Sequence, residues 1–313
     1  MDKLVAGGDV LIHNYRPATA KRLGVHYERL SEINPRLVYV ELSGYGKQGP
    51  YADRGGYDLM LQALTGIMHR RIPPEDTPIG AGVWATDCSM PMMLAYGIAL
   101  GLYNRERTGK GTRLETSLMN AALAMQHVDL VQTSRDSDSG GERAGADQAV
   151  FAPYLCADGQ WILPVALSDK EWVRICHAME IPHLAHDERY ATAQSRAENS
   201  EDIYGLLHGL FETKTRQEWL DAYRDHDALA VPIMDRADVL SSEQVTANGM
   251  RLEFDHPTAG RVVSVNTPLR FPEQPPEFRR RPPLQGEHTD EVLRDLGYNE
   301  AELCRLREAG IVK

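Results

Sequence analysis

The sequence predicts an α/β protein in which a parallel-sheet, Rossmann-like large domain is followed by a smaller α+β domain. Three observations carry this. Strand-like and helical segments alternate from Asp9 to Ser43, the pattern of a parallel sheet with crossover helices. The chain has 313 residues, 42% of them hydrophobic, enough for about two cores. A polar, glycine-rich run, Ser134 to Gly141, interrupts it. We accordingly expect a large domain over residues 1–132, a linker over 133–149, a small domain over 150–245, and a C-terminal strap with helices over 246–313 that returns to the large domain.

Met1 to Asp9 offers little to start a domain, so the large domain is expected to lack its first strands. Asp9-Val-Leu-Ile-His-Asn14 reads as a buried parallel strand, apolar and β-branched. A helix from Thr19 carries Lys21 and Arg22 and stops at Gly24, and a second runs from Tyr27 to Ile33 before Asn34-Pro35. The next strand spans Arg36 to Ser43. Gly44-Tyr-Gly-Lys-Gln-Gly49 matches a dinucleotide-binding fingerprint but is followed by Pro50 instead of a helix, so it is read as a ligand-facing loop in which Arg54 is the obvious charge. A helix follows from Gly56-Tyr57-Asp58 to Met68, then a turn at Pro73 to Pro78. The run from Met92 to Tyr103 is apolar on almost every face and predicts a helix buried in a core, with Asp87 at its entrance. Asp87 suits two roles: an N-cap, or a nucleophilic or basic carboxylate at the positive end of a helix. Thr112 to Glu115 reads as a short strand and Thr116 to Val131 as a helix. In the second half, Phe151 to Ala166 alternates around Asp158-Gly159 as a hairpin does, helical patterns cover 170–179 and 198–211, and Pro257 to Gly260 turns between two strands. Pro268 to Pro283 reads as an extended strap, with short helices at 291–296 and 300–308.

Composition excludes several functions. A formal charge of −11 argues against a nonspecific nucleic-acid surface or an anionic membrane as partner, so a polyanionic ligand must find its cations locally. Cys88, Cys156, Cys176 and Cys304 are scattered with no CxxC pair, which indicates neither zinc nor disulfides and fits a cytoplasmic protein. No run of about 18 apolar residues predicts a membrane span. GxSxG, HExxH and Walker A motifs are absent, and the 11 histidines form no ligand cluster. What remains is Asp87 and a strand end carrying Asn14, Tyr15, Arg16, Lys21 and Arg22. Ligands collect beyond the carboxyl ends of parallel strands, where helix N–H groups and arginines suit a pyrophosphate.

Asp9-Val-Leu-Ile-His-Asn14-Tyr-Arg-Pro17, Asn34-Pro-Arg-Leu37, Ser43-Gly-Tyr-Gly46 to Gly49-Pro-Tyr51, Gly56-Tyr-Asp58 and Arg107-Thr-Gly-Lys-Gly111 follow one another in a spacing that resembles the class III CoA-transferases, the family of formyl-CoA transferase, the carnitine CoA-transferases and the α-methylacyl-CoA racemases. Asp255 to Gly260 and Gly286 to Glu291 extend the likeness over essentially the whole chain. The resemblance implies that Asp87 is the catalytic aspartate, that Asn14, Tyr15 and Arg22 contact CoA, and that Arg54, Tyr57 and Asp58 line the active site. Arg16, from the same strand end, joins the CoA-binding group. Coenzyme A and its acyl thioesters enter as substrates together with a small carboxylic acid, with no permanent cofactor and no metal. The racemases of the family have histidine where this chain has Tyr57, and a glutamate near Ser168, which makes racemisation the second reading. Family members also carry a further segment ahead of the position matching Met1, so a truncated chain, half of a split enzyme or a non-catalytic CoA-binding remnant is a third. The family's interlocked homodimer is the expected assembly.

Overall fold

Strands β1 (Val10–His13) and β2 (Val38–Ser43) lie side by side, parallel, with Val10 opposite Val38 and His13 opposite Glu41. On the other flank of β2 runs β5 (Thr112–Ser117), also parallel, with Val38 opposite Thr112 and Ser43 opposite Ser117. The order β1-β2-β5 makes β2 central, and Val38, Tyr39 and Val40 are at most 1% exposed. A central parallel strand covered on both faces must be apolar throughout, as this one is until Glu41. All three strands therefore end at one edge of the sheet, at His13, Ser43 and Ser117.

The structure, a computed structural model, describes residues 1–72, 77–131, 149–274 and 277–312. The chain divides into two compact units, Met1–Ser134 with Gly286–Lys313, and Arg135–Gln285. The expected linker at 133–149 lies outside the described residues save for its last position, and the Pro73 to Pro78 turn does so save for its last two.

In the first unit, α1 (Asp2–Gly7) precedes β1. The sequence reading missed this helix because a single side chain, Val5, anchors it, while Asn34 Nδ2 donates to the Val5 and Gly8 carbonyls at 3.0 and 2.9 Å. The crossover helices are α2 (Pro17–Arg22), with proline at its first turn, and α3 (Tyr27–Ile33), which bury Ala20 and Leu30 with Val25, Leu37 and Tyr39. Next come α4 (Asp58–Leu64) and a short antiparallel pair, β3 (Arg71–Ile72) and β4 (Thr77–Pro78). Helix α5 (Ala85–Thr108) closes on Gly109 in a left-handed conformation, φ 72°, whose N–H reaches the Arg105 carbonyl. Helix α6 (Leu118–Met125) starts from Ser117, whose hydroxyl accepts the Asn120 N–H at 3.1 Å.

The apolar run of α5 is a helix but not a buried one. Gly97 and Gly101 lie flush on the sheet: a Cβ on Gly97 would stand 2.6 Å from Leu114 Cδ2, and one on Gly101 3.0 Å from Val38 and Thr112 methyls. The opposite face carries Met92, Tyr96, Leu100 and Tyr103, each at least 50% exposed. Composition cannot separate a side chain buried in its own chain from one left for another surface, which is why full burial was the wrong expectation.

The second unit builds its core on Trp172, Trp219, Phe211 and Tyr154. Its sheet, in the order β6-β7-β8, is antiparallel: β6 (Tyr154–Leu155), β7 (Trp161–Val165) and β8 (Leu229–Pro232). Gly159 at φ 72° makes the turn expected at Asp158-Gly159. Helices α7 (Asp169–Ala178), α8 (Ala193–Glu198), α9 (Ser200–Phe211) and α10 (Arg216–Asp225) pack around it, α7 and α10 each begun by a reciprocal cap, Ser168 with Glu171 and Thr215 with Glu218. Then come α11 (Glu243–Ala247) and an antiparallel hairpin, β9 (Arg251–His256) with β10 (Gly260–Val265). Residues 246–285 thus group with the second unit instead of returning to the first. Only α12 (Thr289–Asp295) and α13 (Glu300–Glu308) rejoin the first, where Lys3 donates to the Leu296 carbonyl at 3.2 Å.

Candidate active site

The entrance of α5 is held from outside the helix. Trp84 is its N-cap and makes no side-chain cap bond; Asp87 is the third helical residue, so it is not the cap. That task falls to Asp58, the first residue of α4 and only 2% exposed. Its Oδ2 accepts the Thr86 N–H at 2.7 Å, the Thr86 hydroxyl at 2.8 Å and the Asp87 N–H at 3.1 Å. One turn on, Gln62 Nε2 donates to Asp58 Oδ1 and, at 2.9 Å, to the Val83 carbonyl, while Gln62 Oε1 accepts the Ala81 N–H at 2.9 Å. Two side chains of α4, four residues apart, thereby fix the segment from Ala81 to Asp87. Burial alone would raise the Asp58 pKa, but the Asp87 N–H and the Thr86 and Gln62 donors outweigh it and hold the carboxyl below the usual range. Asp87 is exposed, and among the described residues nothing donates to its carboxylate. Pro91, four residues on, has no N–H to give the Asp87 carbonyl.

Beyond the carboxyl ends of the strands lies a cavity of about 230 Å3. Asn14, Tyr15 and Arg16 form one wall, Ser43 and Gly44 the floor, and Arg54, Gly56 and Tyr57 the other wall. Two bare backbones make the join: a Cβ on Gly44 would come within 2.9 Å of Gly56 Cα. Arg54 lies over the Tyr51 ring at 4.5 Å from its centroid, and Tyr51 packs on Tyr45 at 5.2 Å. Ser43, at the strand end, accepts the Gly46 N–H at 3.0 Å and so turns the loop.

The sequence reading missed the charge cluster beside this cavity. Glu41, 7% exposed, meets Lys47 Nζ at 2.6 Å and Arg113 at 3.3 Å; Glu115 takes the same two cations at 2.8 and 2.7 Å. A glutamate inside an otherwise apolar strand, Val38-Tyr-Val-Glu41, was the available signal. Lys47 lines the cavity but is already paired, so Arg16 and Arg54 are its cationic residues not drawn into that cluster.

Of the residues singled out in the sequence, the fold gathers Asn14, Tyr15, Arg16, Arg54 and Tyr57 around the cavity. Arg22 stands apart on the last turn of α2, exposed. Asp58 does not line the cavity and is committed to the start of α5, and Asp87, also outside the lining, is joined through Asp58 to the wall that Tyr57 ends. Among the described residues there is no group of three metal-ligating side chains and no helix long and apolar enough to cross a membrane.

A cavity at the carboxyl edge of a parallel sheet, lined by Arg16 and Arg54, lies where α/β proteins with such sheets take their ligands. The chain belongs to CoA-transferase family III, whose model matches residues 1–289. It is 29% identical over 315 residues to the human succinyl-CoA:glutarate CoA-transferase, covering 99% of this chain and 71% of that one. It is 30% identical over 332 residues to a formyl-CoA:oxalate CoA-transferase of Rhodopseudomonas palustris, covering 98% and 77%. Among solved structures, a CAIB/BAIF family protein from Brucella suis matches with a TM-score of 0.78 at 30% identity, over 94% of this chain and 77% of that one.

Proposed function

We propose that this protein transfers CoA from an acyl-CoA donor to a carboxylic acid acceptor, with Asp87 as the nucleophile. The observation that carries the reading is the division of labour at the start of α5. Asp58 takes orphan N–H groups there, which leaves the Asp87 carboxylate without a partner among the described residues while the helix terminus still favours its negative charge. A capped carboxylate would have to break its hydrogen bonds before attacking; this one does not.

In the proposed sequence an Asp87 oxygen attacks the thioester carbonyl, forming a mixed anhydride and expelling CoA thiolate. The thiolate attacks the aspartyl carbonyl of the anhydride, releasing the donor acid and leaving an Asp87–CoA thioester. The acceptor carboxylate attacks that thioester, and the returning thiolate completes the new acyl-CoA and frees Asp87. Because a carboxylate is a weak nucleophile toward a thioester, binding energy from the remote nucleotide must hold the reacting atoms together. Asn14, Tyr15, Arg16 and Arg54, with Arg22 further along α2, are assigned to that task, and Tyr57 to the acyl side. CoA is a substrate here, not a resident cofactor. The exposed face of α5, Met92, Tyr96, Leu100 and Tyr103, is assigned to the contact with a second copy in a homodimer, and the cytoplasm is the expected compartment.

Hydroxylamine trapping during turnover, read by peptide mass spectrometry, tests the reading. A hydroxamate at Asp87, absent in Asp87→Asn, is expected. Exchange of the substrate α-proton without modification would favour racemisation, and full turnover in Asp87→Asn would refute the assignment.

A further inference from the structure

Both ring nitrogens of His13, the last residue of β1, are engaged. Its Nε2 lies 2.5 Å from Tyr39 Oη, and that hydroxyl donates its only proton to the Val25 carbonyl at 3.0 Å. Nε2 must therefore carry the hydrogen between them, which fixes the neutral tautomer protonated on Nε2. Nδ1 is left with a lone pair, and it accepts the Tyr15 N–H at 3.2 Å. The two rings stack, centroids 5.7 Å apart at 22°. Tyr15 stands between Asn14 and Arg16 on the cavity wall.

We propose that His13 is a positioning residue that holds the Asn14–Arg16 wall in its ligand-binding conformation while its ring is neutral, and releases it when Nδ1 takes a proton. A second proton would set a donor against the Tyr15 N–H, replacing an attraction with a repulsion. The charges that face the ring are Glu41, directly opposite on β2, and Lys47 from the loop after it; Arg113 and Glu115 on β5 sit behind them in the same network. Tyr39, pushed up to about 12 by burial and then by Glu41, stays a neutral hydroxyl throughout. Burial lowers the His13 pKa from its ordinary 6.5, Glu41 opposes this and Lys47 adds to it, so the wall is held at neutral pH and released in mild acid. The inference rests on the reading of Asn14–Arg16 as CoA ligands.

The test uses the full chain, with CoA itself as probe. Binding is measured calorimetrically from pH 5 to 8 for the wild type, His13→Asn and His13→Phe, alongside 15N spectra of the histidine ring and the Tyr15 amide. The wild type is expected to lose about tenfold in affinity across the His13 titration, the worth of one hydrogen bond, with the Tyr15 amide shifting at the same midpoint. His13→Asn, whose side-chain oxygen can replace Nδ1 as acceptor, is expected to bind at near wild-type strength with no acid limb. His13→Phe should be about tenfold weaker at every pH. A His13→Phe chain that binds CoA as the wild type does, acid limb included, overturns the proposal, as does a Tyr15 amide that ignores the ring. If the wild type bound no CoA at any pH, the functional reading itself would fall, and the coupling with it, even with the amide tracking intact.

Discussion

Replacing Asp58 with alanine tests whether the start of α5 is held as described. The carboxylate is buried and accepts three hydrogen bonds through Oδ2, from the Thr86 N–H and hydroxyl and the Asp87 N–H. Loss of a cap of this kind costs about 1–2 kcal/mol. One N–H of the Gln62 amide, the other still held by the Val83 carbonyl, and the Thr86 hydroxyl would also lose their acceptor, at about 1–3 kcal/mol. Together these predict a destabilisation of about 3 kcal/mol, read by urea unfolding followed by circular dichroism. Asp58→Asn keeps one oxygen for the helix, but its amide NH2 confronts Gln62 Nε2, and Gln62 cannot turn over because its Oε1 holds the Ala81 N–H. A loss of about 1–2 kcal/mol is expected there. In both variants kcat should fall further than stability explains, since a displacement of about 1 Å at a reacting group can cost on the order of 100-fold. An Asp58→Ala protein within about 0.5 kcal/mol of wild type, with unchanged kcat, would refute the argument.

The lowered Asp58 pKa gives a stability increment that is complete above the ordinary aspartate range and is lost as pH falls through the lowered value. The acid limb of wild-type unfolding should flatten in Asp58→Asn, as measured by denaturant titrations at successive pH values. Gly111→Ala should prevent folding or cost about 3 kcal/mol or more, because its Cβ would fall 2.1 Å from the Leu37 carbonyl oxygen, whereas Gly205→Ala, on α9 with open space around it, should gain about 0.5–1 kcal/mol in thermal unfolding. Arg16→Ala and Arg54→Ala should each lower kcat/KM for the CoA thioester about tenfold or more, with kcat falling as well as KM rising, checked by initial rates at two ionic strengths. Tyr96→Glu, on the exposed face of α5, should shift the sedimentation profile toward monomer if that face meets a second copy.

Much of the first unit was legible because its strands and helices obey local rules. Tyr27 to Ile33 ends where Asn34-Pro35 forbids a helix to continue, and α13 matches its expected bounds because Asn299 and Glu302 form a capping pair. That Asn14, Tyr15 and Arg16 stand together at the sheet's carboxyl edge was legible because a strand ends just before them. The roles of Asp58 and His13 were not, since each depends on a partner far along the chain, Thr86 for one and Tyr39 for the other. Nor could the pattern of α5 tell that Gly97 and Gly101 mark its sheet side, for only the sheet shows what they lie against.

The close approach of Gly44 and Gly56 ties residues 45–55 into a ring whose two ends nearly touch, an Ω-loop packed by its own Tyr45, Tyr51 and Arg54. Such a loop is a cassette. Its length and contents can change while the strand before it and the helix after it stay where they are, so a relative's loop could be grafted between these two glycines to swap the lining of the pocket without touching the machinery that presents Asp87.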